Sequence, residues 1–200
     1  MLEHGGRLRE AAAHYAIPLA DWLDLSTGIN PNAWPVPALP ATVWHRLPEN
    51  GDGLEAAAQA YYGNPKLLPV AGSQAAIQWL PALLPRAAVA CIAPLYAEHP
   101  QAWQHAGHKI RFLQNATLPR ALAAATPYVL LCNPNNPTAD RHPHEMVVDA
   151  ARQLKKRSGW LIVDEAFVDA TPELSVTSLA GSEEAPNLIV LRSLGKFFGL

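Results

Sequence analysis

Four short apolar runs recur along the chain: AAVACIA from Ala87, YVLLCN from Tyr128, GWLIVDEA from Gly159 and NLIVLRS from Asn187. Each is too short for a core helix and lacks the in–out alternation of a strand with one wet face. Such runs fit strands buried on both sides. Between them lie segments with helical texture. SQAAIQWLPALL starts at Ser73, Tyr96 to Ala106 and LPRALAAA follow, and HPHEMVVDAARQLKKRS starts at His142. The last carries its basic residues in its final turn, where the helix dipole favours cations. KIRFL, from Lys109, adds one more strand. Apolar strands alternating with helices predict a three-layer α/β/α arrangement around a mostly parallel sheet.

The segment before these runs has a different texture. GINPNAWPVPALP, from Gly28, is studded with prolines and is excluded from long helices and central strands. It reads as an extended arm. The chain therefore divides into an arm over 1–50 and a larger unit over 51–200. From Gly53, GLEAAAQAYYG predicts an alanine-rich helix closed by Gly63, and LLPVAGS a short strand entering a glycine turn, with Ser73 as helix N-cap.

Composition narrows the function classes. Half of the 200 residues are hydrophobic, 16% are charged, and the net charge is −2, so no basic field points to nucleic acid or an anionic membrane. A small-molecule ligand is the better expectation. The apolar stretch from Ile77 to Leu95 is broken by Pro81, Pro85, Arg86 and Pro94, so it is not a membrane span. The start, MLEHGGRLREAAAHYA, carries charges throughout and does not read as a secretory signal. Cys91 and Cys132 each lie in an apolar run and read as buried free thiols in a reducing, cytoplasmic setting. His99, His105, His108, His142 and His144 show no metal-ligand spacing and read as solvated or capping groups.

In parallel sheets, ligands sit beyond the carboxyl ends of the strands. The residues in that position are Gly72 to Gln74, Pro94 to Tyr96, Asn133 to Pro137, Asp164-Glu165 and Ser193 to Lys196. Together they offer a distinctive chemistry. Ser73 and the amides after Gly72 form a phosphate cradle at a helix start, to which Ser193 adds a hydroxyl. Asp164 ends a buried strand and needs a partner. Asn136 can donate to a phenolate-like oxygen, Tyr96 offers an aromatic face and Lys196 an amine. Pyridoxal phosphate uses all of these: a phosphate, a flat ring with a basic nitrogen and an oxygen, and an aldehyde.

AGSQAAI, NPNNPT, IVDEAF and LRSLGKFFGL, in this order and spacing, resemble the fold-type I pyridoxal-phosphate enzymes. The resemblance runs from about residue 4 to residue 200. It is nearest to the group that holds histidinol-phosphate aminotransferases and the threonine-phosphate decarboxylases of cobalamin synthesis. His4-Gly5-Gly6, DLSTGINP and RLPENGDGLEAAAQAYYG look like the decarboxylase branch. The resemblance implies roles. Lys196 would form the Schiff base and carry protons, Asp164 would pair with the pyridinium nitrogen, and Asn136 with the ring oxygen. Tyr96 would stack on the ring, while Ser73, Gln74 and Ser193 would hold the phosphate. Asn30 would face the substrate carboxylate, and His4 and Gly6 the phosphate of the substrate itself. The Asn136–Pro137 bond would be cis.

Two positions depart from the pattern. Phe167 stands where the aminotransferases usually have tyrosine, as expected of the decarboxylase branch. Leu47 stands where many relatives have a tyrosine that reaches the neighbouring subunit. The implied reaction is decarboxylation of threonine phosphate by a homodimer, with a histidinol-phosphate-type aminotransferase as the runner-up and an inactive cofactor-binding fragment as a further reading. The family's antiparallel strand, carboxylate-gripping arginine and small C-terminal domain are all expected beyond residue 200, outside this chain.

Overall fold

The computed structural model describes residues 4–200. Its core is one five-stranded, fully parallel sheet: β1 (Ala88–Ala93), β2 (Lys109–Gln114), β3 (Tyr128–Cys132), β4 (Trp160–Asp164) and β5 (Leu188–Leu191). The strand order is β2-β1-β3-β4-β5. The chain leaves β1 towards β2 and then crosses back to β3 on the far side. That reversal opens a crevice at the strand ends between β1 and β3. In register, Cys132 of β3 lies beside Asp164 of β4, which lies beside Leu191 of β5. The three runs that predicted central strands thus end level with one another.

The helices are α1 (Leu8–Tyr15), α2 (Leu54–Tyr62), α3 (Gly72–Trp79), α4 (Glu98–His105), α5 (Leu118–Ala123) and α6 (His144–Lys155). Two clusters show how they cover the sheet. Val129, Leu131, Leu161 and Val163 face α5 and α6 through Leu118, Val147, Ala151 and Leu154. Val89, Leu130 and Ile162 face the other way, against Trp103 of α4 with Leu80 and Leu84. Neighbouring strand residues point to opposite layers, so a strand buried on both faces must be apolar throughout. Tyr128 to Cys132 is buried at every position. This is the expected three-layer α/β/α arrangement.

Two local expectations fail. LLPVAGS forms no strand; Leu68 is 80% exposed, and the residues before Gly72 make a tight turn in which the Gly72 amide donates to Val70 O at 2.7 Å. Pro69, without an N–H, and the missing partner strand explain the loss. Ser73 is not the N-cap. Gly72 takes φ +77° and begins α3 itself, so Ser73 falls one residue inside, with Ala71 at the cap. A left-handed backbone is available to glycine at little cost, and it sets where the helix starts.

No residue from 4 to 50 is buried, and this segment holds only α1 and two single 3₁₀ turns. It is nonetheless anchored to the end of the chain. Asn30 N donates to Lys196 O at 2.9 Å, Asn30 Nδ2 to Phe197 O at 2.8 Å, and Trp34 N to Phe198 O at 2.8 Å.

Candidate functional site

The strand ends converge as the parallel-sheet rule requires. Asn133 N donates to Asp164 O, and Glu165 N to Leu191 O, stitching β3, β4 and β5 together just past their last residues. Asn135 Nδ2 reaches Pro94 O at 2.9 Å, which ties the end of β3 to that of β1. The Asn136–Pro137 peptide is cis, as are Ala93–Pro94 and Asn133–Pro134. Asn136 itself is half-buried on this turn.

Asp164 is the anchor of the site. It is 6% exposed, and both oxygens are engaged. Oδ1 accepts from Ala166 N at 2.9 Å, and Oδ2 lies 2.7 Å from His99 Nε2. His99 is 1% exposed, so its reading as a solvated or capping group is corrected: it is the buried partner that Asp164 required. His108 is corrected in the same way. It is buried, with Nε2 2.9 Å from Pro81 O and its ring packed on Trp103. A strand-end aspartate signals the need for a donor but not which of eight histidines supplies it, since His99 is 65 residues away.

Cys132 completes this buried corner. Ligand atoms of His99, Cys132 and Asp164 lie within 4.8 Å of one another. These are metal-ligating types, but the His99–Asp164 hydrogen bond already uses two of them. Burial pushes the Cys132 thiol well above its ordinary range, with Asp164 adding to the shift. Cys91, also buried, is pushed up to about 12. Both cysteines are free.

Tyr96 sits over this corner. Its ring meets His99 edge-on at 6.2 Å and His4 at 6.1 Å. Burial raises its hydroxyl pKa, and the charges of Glu98 and Asp164 add to the effect. Glu98 escaped the sequence reading and links two predicted groups. Its Oε1 lies 2.8 Å from His4 Nε2, and its Oε2 accepts from Gln74 Nε2 at 3.1 Å. Gly6 is held by the Ser26 hydroxyl, which accepts from its amide at 2.8 Å.

Lys196 follows β5, the strand that pairs with the one ending in Asp164. Its Nζ is 5.7 Å from the centroid of Phe167, three residues past Asp164. A Cβ on Gly28 would approach Phe167 to 2.8 Å, so glycine there admits the ring that flanks the lysine. Ser193 Oγ accepts from Gly195 N at 3.1 Å, which shapes the turn leading to Lys196. Asn30 borders the same turn, but its side chain is engaged with Phe197 O and Asn32 N. Leu47 is 87% exposed. A cavity of about 380 Å³, lined by Asn115, Arg141 and His142 among others, takes in Pro94 and Asn135 of the strand-end set and Cys132, but none of the residues given a cofactor or substrate role.

Comparison with known proteins gives the family and the fold. Residues 41–200 match the family described as aminotransferase class I and II. A threonine-phosphate decarboxylase from Pseudomonas aeruginosa is 55% identical over 201 residues, covering 100% of this chain and 59% of its own length. The chain thus spans about three-fifths of that curated relative. The crystal structure of histidinol-phosphate aminotransferase from Sinorhizobium meliloti, in complex with pyridoxal-5'-phosphate, superposes with a TM-score of 0.63 at 24% identity. The match covers 74% of this chain and 43% of that one. The L-threonine-O-3-phosphate decarboxylase of Porphyromonas gingivalis gives 0.61 at 18% identity, covering 74% of this chain and 45% of that one. The family match spans residues 41–200 and the Pseudomonas aeruginosa relative is 55% identical along the whole chain, so the chain belongs to the class I and II aminotransferase family.

Proposed function

We propose that this chain carries the cofactor-binding part of a pyridoxal-phosphate-dependent threonine-phosphate decarboxylase, yielding aminopropanol phosphate and carbon dioxide. Residues 51–200 form the cofactor unit and 1–50 the arm that reaches the substrate. The observation that carries this reading is Asp164. It is buried at the end of β4 and fixed by His99 and Ala166 N, and Lys196, whose amine stands 5.7 Å from the ring of Phe167, follows the neighbouring strand.

The residues present fit the cofactor. A buried carboxylate is costly unless its charge is matched, and a protonated ring nitrogen supplies the match. The amides after Gly72 at the start of α3 and the Ser73 and Ser193 hydroxyls suit a phosphate, with Gln74 beside them. Asn136 suits the ring oxygen and Tyr96 the ring face. Bound there, pyridoxal phosphate supplies an aldehyde for an amine and a ring that takes up the electron pair of the broken bond. The chain's own residues do the rest. Asp164 holds a proton on the ring nitrogen, and His99 keeps Asp164 oriented. Lys196 offers its amine and moves a proton to or from the substrate carbon. His4, Gly6 and Asn30 orient the substrate so that its carboxylate, rather than its Cα–H, is the group released. The same catalytic groups serve transamination, so orientation alone decides.

Phe167 in place of tyrosine and the 55% identity to a decarboxylase support this branch. Exposed Leu23, Leu25, Trp44 and Leu47 support an assembled form, read as a homodimer. Free cysteines support a cytoplasmic setting. Among the described residues, no helix is long and apolar enough to cross a membrane.

The test is direct. Borohydride reduction of the cofactor-loaded protein should fix the label on Lys196, and Lys196→Ala should abolish it. Threonine phosphate should then give aminopropanol phosphate without an added keto acid. Dependence on 2-oxoglutarate would replace the decarboxylase reading with a transaminase one.

A further inference from the structure

The residue that leads out of β5 is an arginine. Arg192 follows Leu191, precedes Ser193 and stands four residues before Lys196. Its side chain is 13% exposed and forks between two carboxylates. One arm, Nη1, lies 3.4 Å from Glu165 Oε2, 3.2 Å from Ser175 Oγ and 3.2 Å from Thr177 Oγ1. The other, Nη2, donates to Asp169 Oδ1. The guanidinium carbon stands 4.7 Å from the centroid of Tyr62.

Its partners are fixed in turn. Glu165 is fully buried; Oε2 accepts from Ser175 Oγ at 2.6 Å and Thr177 Oγ1 at 2.7 Å, and Oε1 from Val176 N at 2.7 Å. Asp169 accepts from Tyr61 OH at 2.9 Å. Five segments therefore meet on one guanidinium: the end of β4, the turn that carries Asp169, the 175–177 turn, α2 and the exit from β5. Nothing in the proposed chemistry uses this cluster. Two buried carboxylates around one guanidinium also cost more in desolvation than an apolar filling of the same space. A network so placed does one thing an apolar core does less well, which is to fix direction.

We propose that Arg192 is a positioning residue. Its fork to Glu165 and Asp169 sets the path of the chain from β5 to Lys196 relative to Asp164, and so aligns the lysine amine with the ring. Glu165 is the covalent neighbour of Asp164, and Arg192 the covalent neighbour of Ser193, so the ion pair joins the two backbones that carry the acid and the amine. The inference rests on the proposed cofactor function, and it extends that function to groups that touch neither cofactor nor substrate.

Arg192→Lys keeps the charge and removes the fork. In the cofactor-loaded full chain, three quantities decide the matter: visible circular dichroism of the bound cofactor, the split between kcat and KM for threonine phosphate, and the thermal midpoint. Arg192→Lys should stay folded, lose at least about half of the visible signal, and lower kcat about 10- to 100-fold with KM changed less than about threefold. A folded, loaded variant with an unchanged signal and unchanged kcat would overturn the inference and leave Arg192 a packing residue. If Arg192→Lys does not fold, Asp169→Asn, which keeps the shape and removes one charge, is read in the same way and decides. If the unaltered protein takes up no cofactor, the functional reading fails first and the inference with it. If it takes up cofactor and turns over while both variants match it, only the inference fails.

Discussion

The strand-end corner and the first fifty residues are opposites. In the corner, Cys132, Asp164, His99 and Glu165 are all buried, and each polar group has a partner. In the segment from 4 to 50, nothing is buried, and Leu23, Leu25 and Leu47 are each about four-fifths exposed or more. The corner is specified by short-range hydrophobic pattern and sheet register. The arm is held by a few backbone hydrogen bonds to the far end of the chain, at Lys196, Phe197 and Phe198. Both regions supply predicted site residues. One does so from a rigid platform and the other from a tether, so substitutions should cost stability in the first and little in the second.

The largest expected effect comes from the platform itself. Leu130 is fully buried in β3, between Cys91 of β1 and Ile162 of β4. Leu130→Ala should lower unfolding free energy by about 3 kcal/mol, measured by urea denaturation, through lost burial and the cavity left behind. A cost below about 1 kcal/mol would mean that the sheet relaxes around the gap, and the claimed contrast in rigidity would break.

Next comes the polar centre. His99→Leu keeps similar bulk but removes the donor to Asp164 Oδ2. Leaving a buried carboxylate short of its partner should cost about 2 kcal/mol, and should also weaken cofactor binding in a spectroscopic titration. Stability unchanged with cofactor affinity reduced would show His99 to be purely a tuning group. Both unchanged would remove it from the site.

These two effects mark what was legible in the sequence. Strands such as YVLLC and WLIVD were readable because burial on both faces leaves no polar position, a signal carried by adjacent residues. The meeting of the turns after β1, β3, β4 and β5, through Pro94, Asn133, Asn135 and Asp164, followed from the rule for parallel strand ends. LLPVAGS misled because its apolar letters lacked a neighbouring strand, and pairing is not a local property. Ser73 misled because the positive φ of Gly72 shifted the helix start by one residue. His99 and Glu98 were missed because their partners, Asp164 and His4, are 65 and 94 residues away, and no spacing rule spans such distances.

A smaller effect is expected at the rim, on the loop into α6. His142 is partly buried, and burial lowers its pKa from the ordinary histidine value, with Asp140 opposing the shift. The unfolded chain then binds a proton more readily than the folded one. Stability contributed by neutral His142 is present above the usual histidine range and falls as pH drops through it. His142→Asn should flatten this part of a stability profile measured between about pH 5 and 8. A profile that keeps its slope would assign the dependence to another histidine.

The smallest effect belongs to the arm. Leu47 is 87% exposed, next to a run of exposed residues from Val43 to Asp52. Leu47→Ala removes almost no buried area in this chain, so the thermal midpoint should correspond to a change within about 0.5 kcal/mol. A larger loss at high protein concentration that vanishes on dilution would mean a second copy covers this leucine. That would place the arm, like the corner, on a packed surface, with the packing supplied from outside the chain. A larger loss at every concentration would instead show that the segment packs within its own chain, and the contrast between platform and tether would fail at its softest point.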